Sequence, residues 1–447
     1  MISVAPTKEE KSRLEKVTKS VMSEIEKETE KIDSRIKPAL LGSASRDTWL
    51  SNEDDLDVFL MFPLEYKKGR MEEVVTDVGR KILKDVTRRY AEHPYIRGRY
   101  ADFEIEIVPC YAVDSPDNLK SAVDRTPFHN AFVKEHIKGK ENEVRLLKQF
   151  LKGMGCYGAE AKVEGFSGYL CELLVIKYGS FEKVLKAASD WPQGQIIWIG
   201  KNPNIGEAKF TEPLVFIDPV DKNRNVASAL SSTKLSAFIF AAGRYLEDPR
   251  DEFFFPGKRK ADRAEIIRKF EDRKTDAIAV IFETPDLVDD ILYPQLRKAV
   301  GTIKKQLLQS EFPLLGIDFF VKDKTCIFIE VGSVEIPEMR LHKGPKVNTS
   351  HEERFLSKYR EFEGKLTEPF IVDDRWAIIL KRKYTNAEVF LSDFLSQTHL
   401  EENGMPKYIA KGIREGYVIK GGKDAILAEF TADLLEYFDP RFPWESP

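Results

Sequence analysis

The chain has 447 residues, 42% hydrophobic and 32% charged, which predicts a globular protein of about three domains at ~150 residues each. Its formal net charge of -4 excludes a global pull toward nucleic acid, so any polyanion site must be a local patch drawn from its 70 lysines and arginines. No apolar run approaches ~18 residues and no N-terminal stretch reads as a signal peptide; with four scattered cysteines at neither zinc nor disulfide spacing, a reduced, cytoplasmic setting without a membrane span is expected.

In chain order, residues 7–36 carry the apolar stripe Leu14, Val17, Val21 and Ile25, which predicts a helix ended by Pro38. Residues 39–63 read as strand, Gly-Ser turn, short helix and strand. Residues 71–90 repeat the helical period through Val74, Val78, Ile82 and Val86, followed by a polar turn at 91–95. The stretch 102–109 alternates cleanly, with Phe103, Ile105 and Ile107 on one face and Asp102, Glu104 and Glu106 on the other, so it is a strand. A polar loop and short helix fill 116–140, a helix 141–155, and Phe166 to Glu172 reads as a loop entering a buried helix. A strand at 214–217 leads through Asp218-Pro219-Val220-Asp221 to a helix start. Beyond the Pro/Gly/charge-rich stretch at 255–260, strands at 277–282, 314–321 and 325–331 with a helix at 289–309 suggest a second α+β unit. A polar, linker-like stretch near 342–352 precedes mixed helix and strand to the end.

The chemistry concentrates in Leu41-Gly42-Ser43-Ala44-Ser45-Arg46, followed by Asp55-Leu56-Asp57-Val58 at the head of an apolar strand. Strand side chains alternate, so Asp55 and Asp57 share a face while Leu56 and Val58 turn to the core. Two adjacent carboxylates repel unless a divalent cation lies between them. Upstream, turn amides and a helix N-terminus favour an anion. A phosphate site beside a metal site suggests a nucleoside triphosphate with Mg2+. The acidic face of the second strand, paired beside the first, would bring Glu106 to Asp55 and Asp57, as two-metal nucleotidyl transfer requires.

Gly-Ser, a short helix with an arginine, then Asp-x-Asp entering a strand resembles the nucleotidyltransferase superfamily that includes DNA polymerase β. The stretches GSASRDTWL, DLDVFLMFP, AEHPY, VPCY, SAVDRTPFH, KGKENEVRLLK, YGAEAKVEGFSGYLCELL and DPVDKNRNVA, with PDLVDDILYPQL more loosely, resemble archaeal (class I) CCA-adding enzymes over nearly the whole chain. The resemblance implies an α+β multidomain protein. Its polymerase β-like catalytic head with a mixed sheet would span 1–140, a helical, base-recognising neck 141–255, an α+β body 256–345 and a tail 346–447. It implies template-independent addition of CCA to the tRNA 3′ end from CTP and ATP with Mg2+. By the family pattern, Asp55, Asp57 and Glu106 are catalytic and hold metal. The family usually has Glu at the first of these positions and Asp at the third, so here the two acid types are exchanged. Gly42, Ser43, Arg46, His129, Lys148 and Tyr157 would bind the nucleotide, and Arg224 would read its base. Glu92 and His93 would meet the primer end. Basic clusters at Lys258, Arg259, Lys260 and at Lys381, Arg382, Lys383 are candidates for tRNA contact, and a homodimer is left open. Two other readings share the motifs: a poly(A) polymerase or oligoadenylate-type synthase, and a non-catalytic RNA-binding relative.

Overall fold

Thr7 opens the first helix, α1 (Lys8–Glu30), with a capping box: its hydroxyl accepts the Glu10 N–H, and the Glu10 carboxylate accepts the Thr7 N–H. This and every element below comes from a computed structural model, which describes residues 4–90, 94–201 and 210–445. Val21 and Ile25 of α1 are buried, with Leu14 and Val17 packed beside them, as the stripe requires. The helix stops at Glu30 rather than running to residue 36, because Asp33 accepts both the Arg35 N–H and its guanidinium and fixes a turn. Pro38 lies inside the next strand, β1 (Lys37–Leu41), at the sheet edge, where its missing N–H costs no ladder bond.

The chain packs as two units, Met1–Lys258 with Phe442–Pro447, and Arg259–Arg441. In the first, β1 leads through α2 (Gly42–Ser45) to β2 (Asp55–Phe62), α3 (Lys68–Ile82), β3 (Lys84–Tyr90), β4 (Pro94–Tyr100) and β5 (Phe103–Tyr111). These strands form one mixed sheet in the order β1-β2-β5-β4-β3, with β2 and β5 parallel and the other pairs antiparallel. The helical period expected over 71–90 breaks at Ile82. Asp85 adopts φ +51°, and β3 takes its backbone hydrogen bonds from β4 instead. Val86 keeps its apolar contact with the core from a strand, so the apolar spacing alone did not distinguish the two. Residues 91–93 of the expected polar turn lie outside the described residues, and Pro94 and Tyr95 begin β4.

Helices then dominate: α4 (Thr126–His136), α5 (Glu141–Gly153), α6 (Gly168–Tyr178) and α7 (Phe181–Ala188), a two-strand pair β6 (Gln195–Ile197) and β7 (Leu214–Phe216), and α8 (Ser232–Glu247). Leu170 through Val175 of α6 are all buried, so the middle of this helix has no solvent face and runs through its core, and only its last turn reaches solvent at Lys177. Trp444, near the chain's end, stacks on Phe253 of the same core at 4.9 Å.

The second unit comprises α9 (Arg263–Arg273), β8 (Asp276–Glu283), α10 (Asp289–Gln309), β9 (Leu314–Val321), β10 (Lys324–Val331), β11 (Met339–Lys346), α11 (Glu352–Arg360), β12 (Phe370–Val372), β13 (Arg375–Lys381), α12 (Ala387–Leu395), α13 (Lys407–Glu415), β14 (Tyr417–Gly421) and α14 (Thr431–Phe438). Its antiparallel sheet runs β14-β8-β10-β9. Strand β8 sorts its residues by period 2: Ile278, Val280 and Phe282 face a core with α10 and α12, and Ala277, Ala279 and Ile281 face one with α9 and α14. The first half of the linker expected near 342–352 is instead strand, the end of β11, and only 347–351 form a turn before α11; β11 pairs with β13, and Gly344 is buried against Phe355.

Candidate active site

The β1–α2 turn and the acidic strand are built against each other. Gly42 sits at φ +70°, and a Cβ there would stand 1.8 Å from Asp57 Oδ2, so both backbone and space demand glycine. Parallel pairing of β2 with β5 sets Asp57 opposite Glu106 and Asp55 opposite Glu104. Antiparallel pairing on the other side sets Arg97 of β4 opposite Glu106, with Arg97 Nε 3.7 Å from Glu106 Oε1 and the guanidinium also on Glu104. Arg97 therefore serves three carboxylates, Glu104, Glu106 and Asp55. Burial, then the Asp57 charge, pushes the Glu106 carboxyl up to about 7. Desolvation, then Glu104 and Glu53, raises Asp55; burial raises Asp57 against the pull of Arg46 and Lys148. Among the described residues no three acidic, His or Cys groups already converge as a metal site. The donor set nonetheless suits a hard divalent cation, being oxygen-only, crowded and short of positive charge.

Helix α2 is only four residues long, so its dipole is small and an anion there would depend more on turn amides and cations. Ser43 lies in its first turn, with its carbonyl accepting the Arg46 and Thr48 N–H groups. Arg46 points into the protein. Its Nε donates to Glu172 Oε1 at 2.9 Å and its Nη1 to Asn130 Oδ1 at 2.8 Å. Thr48 Oγ1 also donates to Glu172 Oε1, while Oε2 of this fully buried carboxylate has no partner among the described residues. Lys148 of α5 is buried, donates to the Thr48 carbonyl at 2.9 Å, and is held below its ordinary pKa by burial. A Cβ at Gly168 would lie 3.1 Å from the Tyr157 hydroxyl and 3.6 Å from Lys148 Nζ, so those two groups meet at the start of α6. Burial raises the Tyr157 phenol well above its usual range.

A third cluster surrounds Asp218, which is fully buried. His129 Nε2 lies 2.8 Å and Arg224 Nη1 2.9 Å from its Oδ2, and the His129 ring stacks on Tyr169 at 4.3 Å. Asp221, the acid nearest Arg224 in sequence, is taken by Arg125 at 2.9 Å, and Arg224 folds onto Asp218. Two helices join these clusters. Adjacent residues of α4, His129 and Asn130, reach Asp218 and Arg46, while Tyr169 and Glu172, one turn apart on α6, reach the same two. Asp218, Glu172, Asn130, Tyr169 and Arg97 were not singled out from the sequence. Glu172 inside an apolar helix was the signal available for one of them.

Glu92 and His93 lie outside the described residues. Of the basic clusters, Arg259 is paired with Glu436 and Asp439, Lys381 with Glu338 and Arg382 with Glu311, so their charge is partly neutralised within the protein. No described helix is long and apolar enough to cross a membrane.

Family models match three consecutive stretches: a nucleotidyltransferase domain over residues 22–129, the second domain of tRNA nucleotidyltransferase over 142–255, and the C-terminal domain of CCA-adding enzymes over 273–422. The CCA-adding enzyme of Methanosarcina barkeri is 38% identical over 93% of this chain and 91% of its own. That of Archaeoglobus fulgidus is 40% identical over 90% of each. A crystal structure of the Cid1 poly(U) polymerase aligns with 56% of this chain and 94% of its own at 12% identity and a TM-score of 0.46.

Proposed function

The chain belongs to the archaeal-type CCA-adding enzymes, and from that premise we propose that it adds C, C and A to the 3′ end of tRNA without a nucleic-acid template. The observation that carries the site is the pairing of Asp57 with Glu106 across parallel strands, directly against the Gly42 turn.

In this reading the tRNA 3′-hydroxyl attacks the α-phosphorus of CTP or ATP. A new phosphodiester P–O bond forms, the bond to the β-phosphate oxygen breaks, and pyrophosphate leaves. Asp55, Asp57 and Glu106 would hold Mg2+, which when bound lowers the pKa of the hydroxyl and neutralises triphosphate charge. Gly42, Ser43 and Arg46 bind the triphosphate, the turn through its backbone and Arg46 through charge. His129, Lys148 and Tyr157 line the nucleotide, and Lys148, buried with few counter-charges, gains a partner when a phosphate arrives. Arg224 meets the base with a rigid fork of donors. Orientation and electrostatics supply most of the rate, and no side-chain general base is needed. Glu92 and His93 meet the primer end. Residues 1–140 act as catalytic head, 141–255 as neck, and 256–345 and 346–447 as body and tail that hold tRNA by shape and backbone charge, so binding weakens steeply with salt.

The test is incorporation of labelled CTP and ATP, with Mg2+, into transcripts ending at the discriminator base, at C and at CC. CTP should extend the first two and ATP the third, and Asp57→Ala should lower both by about 1000-fold or more. Use of ATP alone would make the protein a poly(A) polymerase, and tRNA binding without incorporation a non-catalytic relative.

A further inference from the structure

Asp218 is fully buried, yet each of its oxygens receives two donors. Oδ2 takes His129 Nε2 (2.8 Å) and Arg224 Nη1 (2.9 Å); Oδ1 takes the Val220 N–H (2.9 Å) and the Tyr169 hydroxyl (3.3 Å). The Asp218 N–H also donates to the Arg224 carbonyl at 3.1 Å, closing the 218–224 loop on itself. A carboxylate only accepts, so the His129 proton sits on Nε2 and the ring is fixed in direction as well as place. Burial alone would raise this carboxyl, but His129, the Val220 N–H and Arg224 outweigh it and hold it ionised.

A clamp that only closed the loop would need neither a histidine from α4 nor a tyrosine from α6. It also leaves Arg224 a third exposed, anchored to Asp218 through Nη1. The guanidinium is planar and rigid, so anchoring Nη1 at one end and the side-chain stem at the other narrows where its remaining donors can point. That matters for selection. Cytosine and adenine both present a ring-nitrogen acceptor next to an exocyclic amine, whereas uracil and guanine carry an N–H at that ring position. A donor held in one place accepts the first pair and opposes the second; a donor free to swing can find a carbonyl on any of the four. Discrimination built on an unmet polar group is stronger than discrimination by size.

We propose that Asp218 is a positioning residue for nucleotide selection, holding Arg224 and His129 in the single geometry that admits cytosine and adenine and rejects uracil and guanine. This rests on the reading of Arg224 as the group that meets the base.

The experiment is single-nucleotide addition of CTP, ATP, UTP and GTP to tRNA transcripts by the full chain, for wild type, Asp218→Asn and Tyr169→Phe. Tm and tRNA affinity are measured alongside. In Asp218→Asn the kcat/KM ratio of CTP to UTP should fall at least about tenfold, the loss expected for a charged hydrogen bond, with ATP against GTP moving the same way. Tyr169→Phe removes only the 3.3 Å bond, and should shift both ratios in that direction by about two- to threefold; it carries the test if Asp218→Asn does not fold. Ratios within error of wild type, or an equal loss for all four nucleotides, overturn the proposal. A wild type that uses neither CTP nor ATP removes the functional reading and this proposal together.

Discussion

Two sets of carboxylates in the first unit have opposite fates. Along β2 and β5, Asp55, Asp57 and Glu106 crowd on one face with too few cations to balance them, and all are pushed toward their neutral forms, Glu106 to about 7. Asp218 is more deeply buried than any of them, yet is held below its ordinary pKa. Burial raises every one of these groups, so depth is not what separates them. Asp218 has its counter-charges and donors supplied by the protein, and the β2–β5 face does not. The Asp218 arrangement is complete in the folded chain; the β2–β5 face is left with unbalanced negative charge, which in the proposed reading a divalent cation would neutralise.

Glu172 sits between these extremes and tests the contrast most severely. One of its oxygens is met by Arg46 and Thr48 and the other has no partner among the described residues, while Lys148 lies within its field. Glu172→Gln should cost about 3–5 kcal/mol in urea unfolding, because two buried cations lose their counter-charge. A cost under ~1 kcal/mol would mean that the β1–α2 turn is not held by this ion pair. Gly42→Ala should come next. It strains a backbone at φ +70° and drives Asp57 from its place, so nucleotide addition should fall about 100-fold with tRNA affinity retained.

Smaller, and opposite in sign between the two regions, is the pH dependence. A carboxyl raised to about 7 binds its proton more tightly in the folded state. Its stabilisation is full below the ordinary value of 4.5 and lost as pH rises through 7. Metal-free protein should therefore lose on the order of 1–3 kcal/mol between those limits, and Glu106→Gln should flatten that loss. Mg2+ should raise Tm more at pH 8 than at pH 5. Asp218, lowered, contributes the reverse: stability present above the ordinary carboxylate value and lost only as pH falls through its lower folded value.

The acidic face was legible because a strand carries its own ruler. Alternation in 102–109 and in 55–58 assigned Glu106, Asp55 and Asp57 to faces before any pairing was known, and β2–β5 register then brought them side by side. Lys148 was in phase with Val144 and Leu151 on α5, but that phase could not say that it would be buried. Asp218 was invisible for a different reason. In Asp218-Pro219-Val220-Asp221 it reads as a turn residue, and nothing local tells which acid Arg224 will choose; α4 and α6 decide that from about 90 and 50 residues away. The same limit misassigned 84–90, where Ile82 and Val86 suit either a helix or a strand until β4 offers its edge. The pairing within the basic clusters was equally hidden, since the acids that meet Arg259 and Arg382 come from distant elements.

The most direct measurement is Mg2+ binding by calorimetry at pH 8, without nucleotide, for wild type, Glu106→Gln and Asp218→Asn. If the β2–β5 face is completed by metal and the Asp218 cluster by the protein, Glu106→Gln should weaken Mg2+ at least about tenfold while Asp218→Asn leaves it within about twofold. Equal weakening by both variants, or none by Glu106→Gln, would contradict the division.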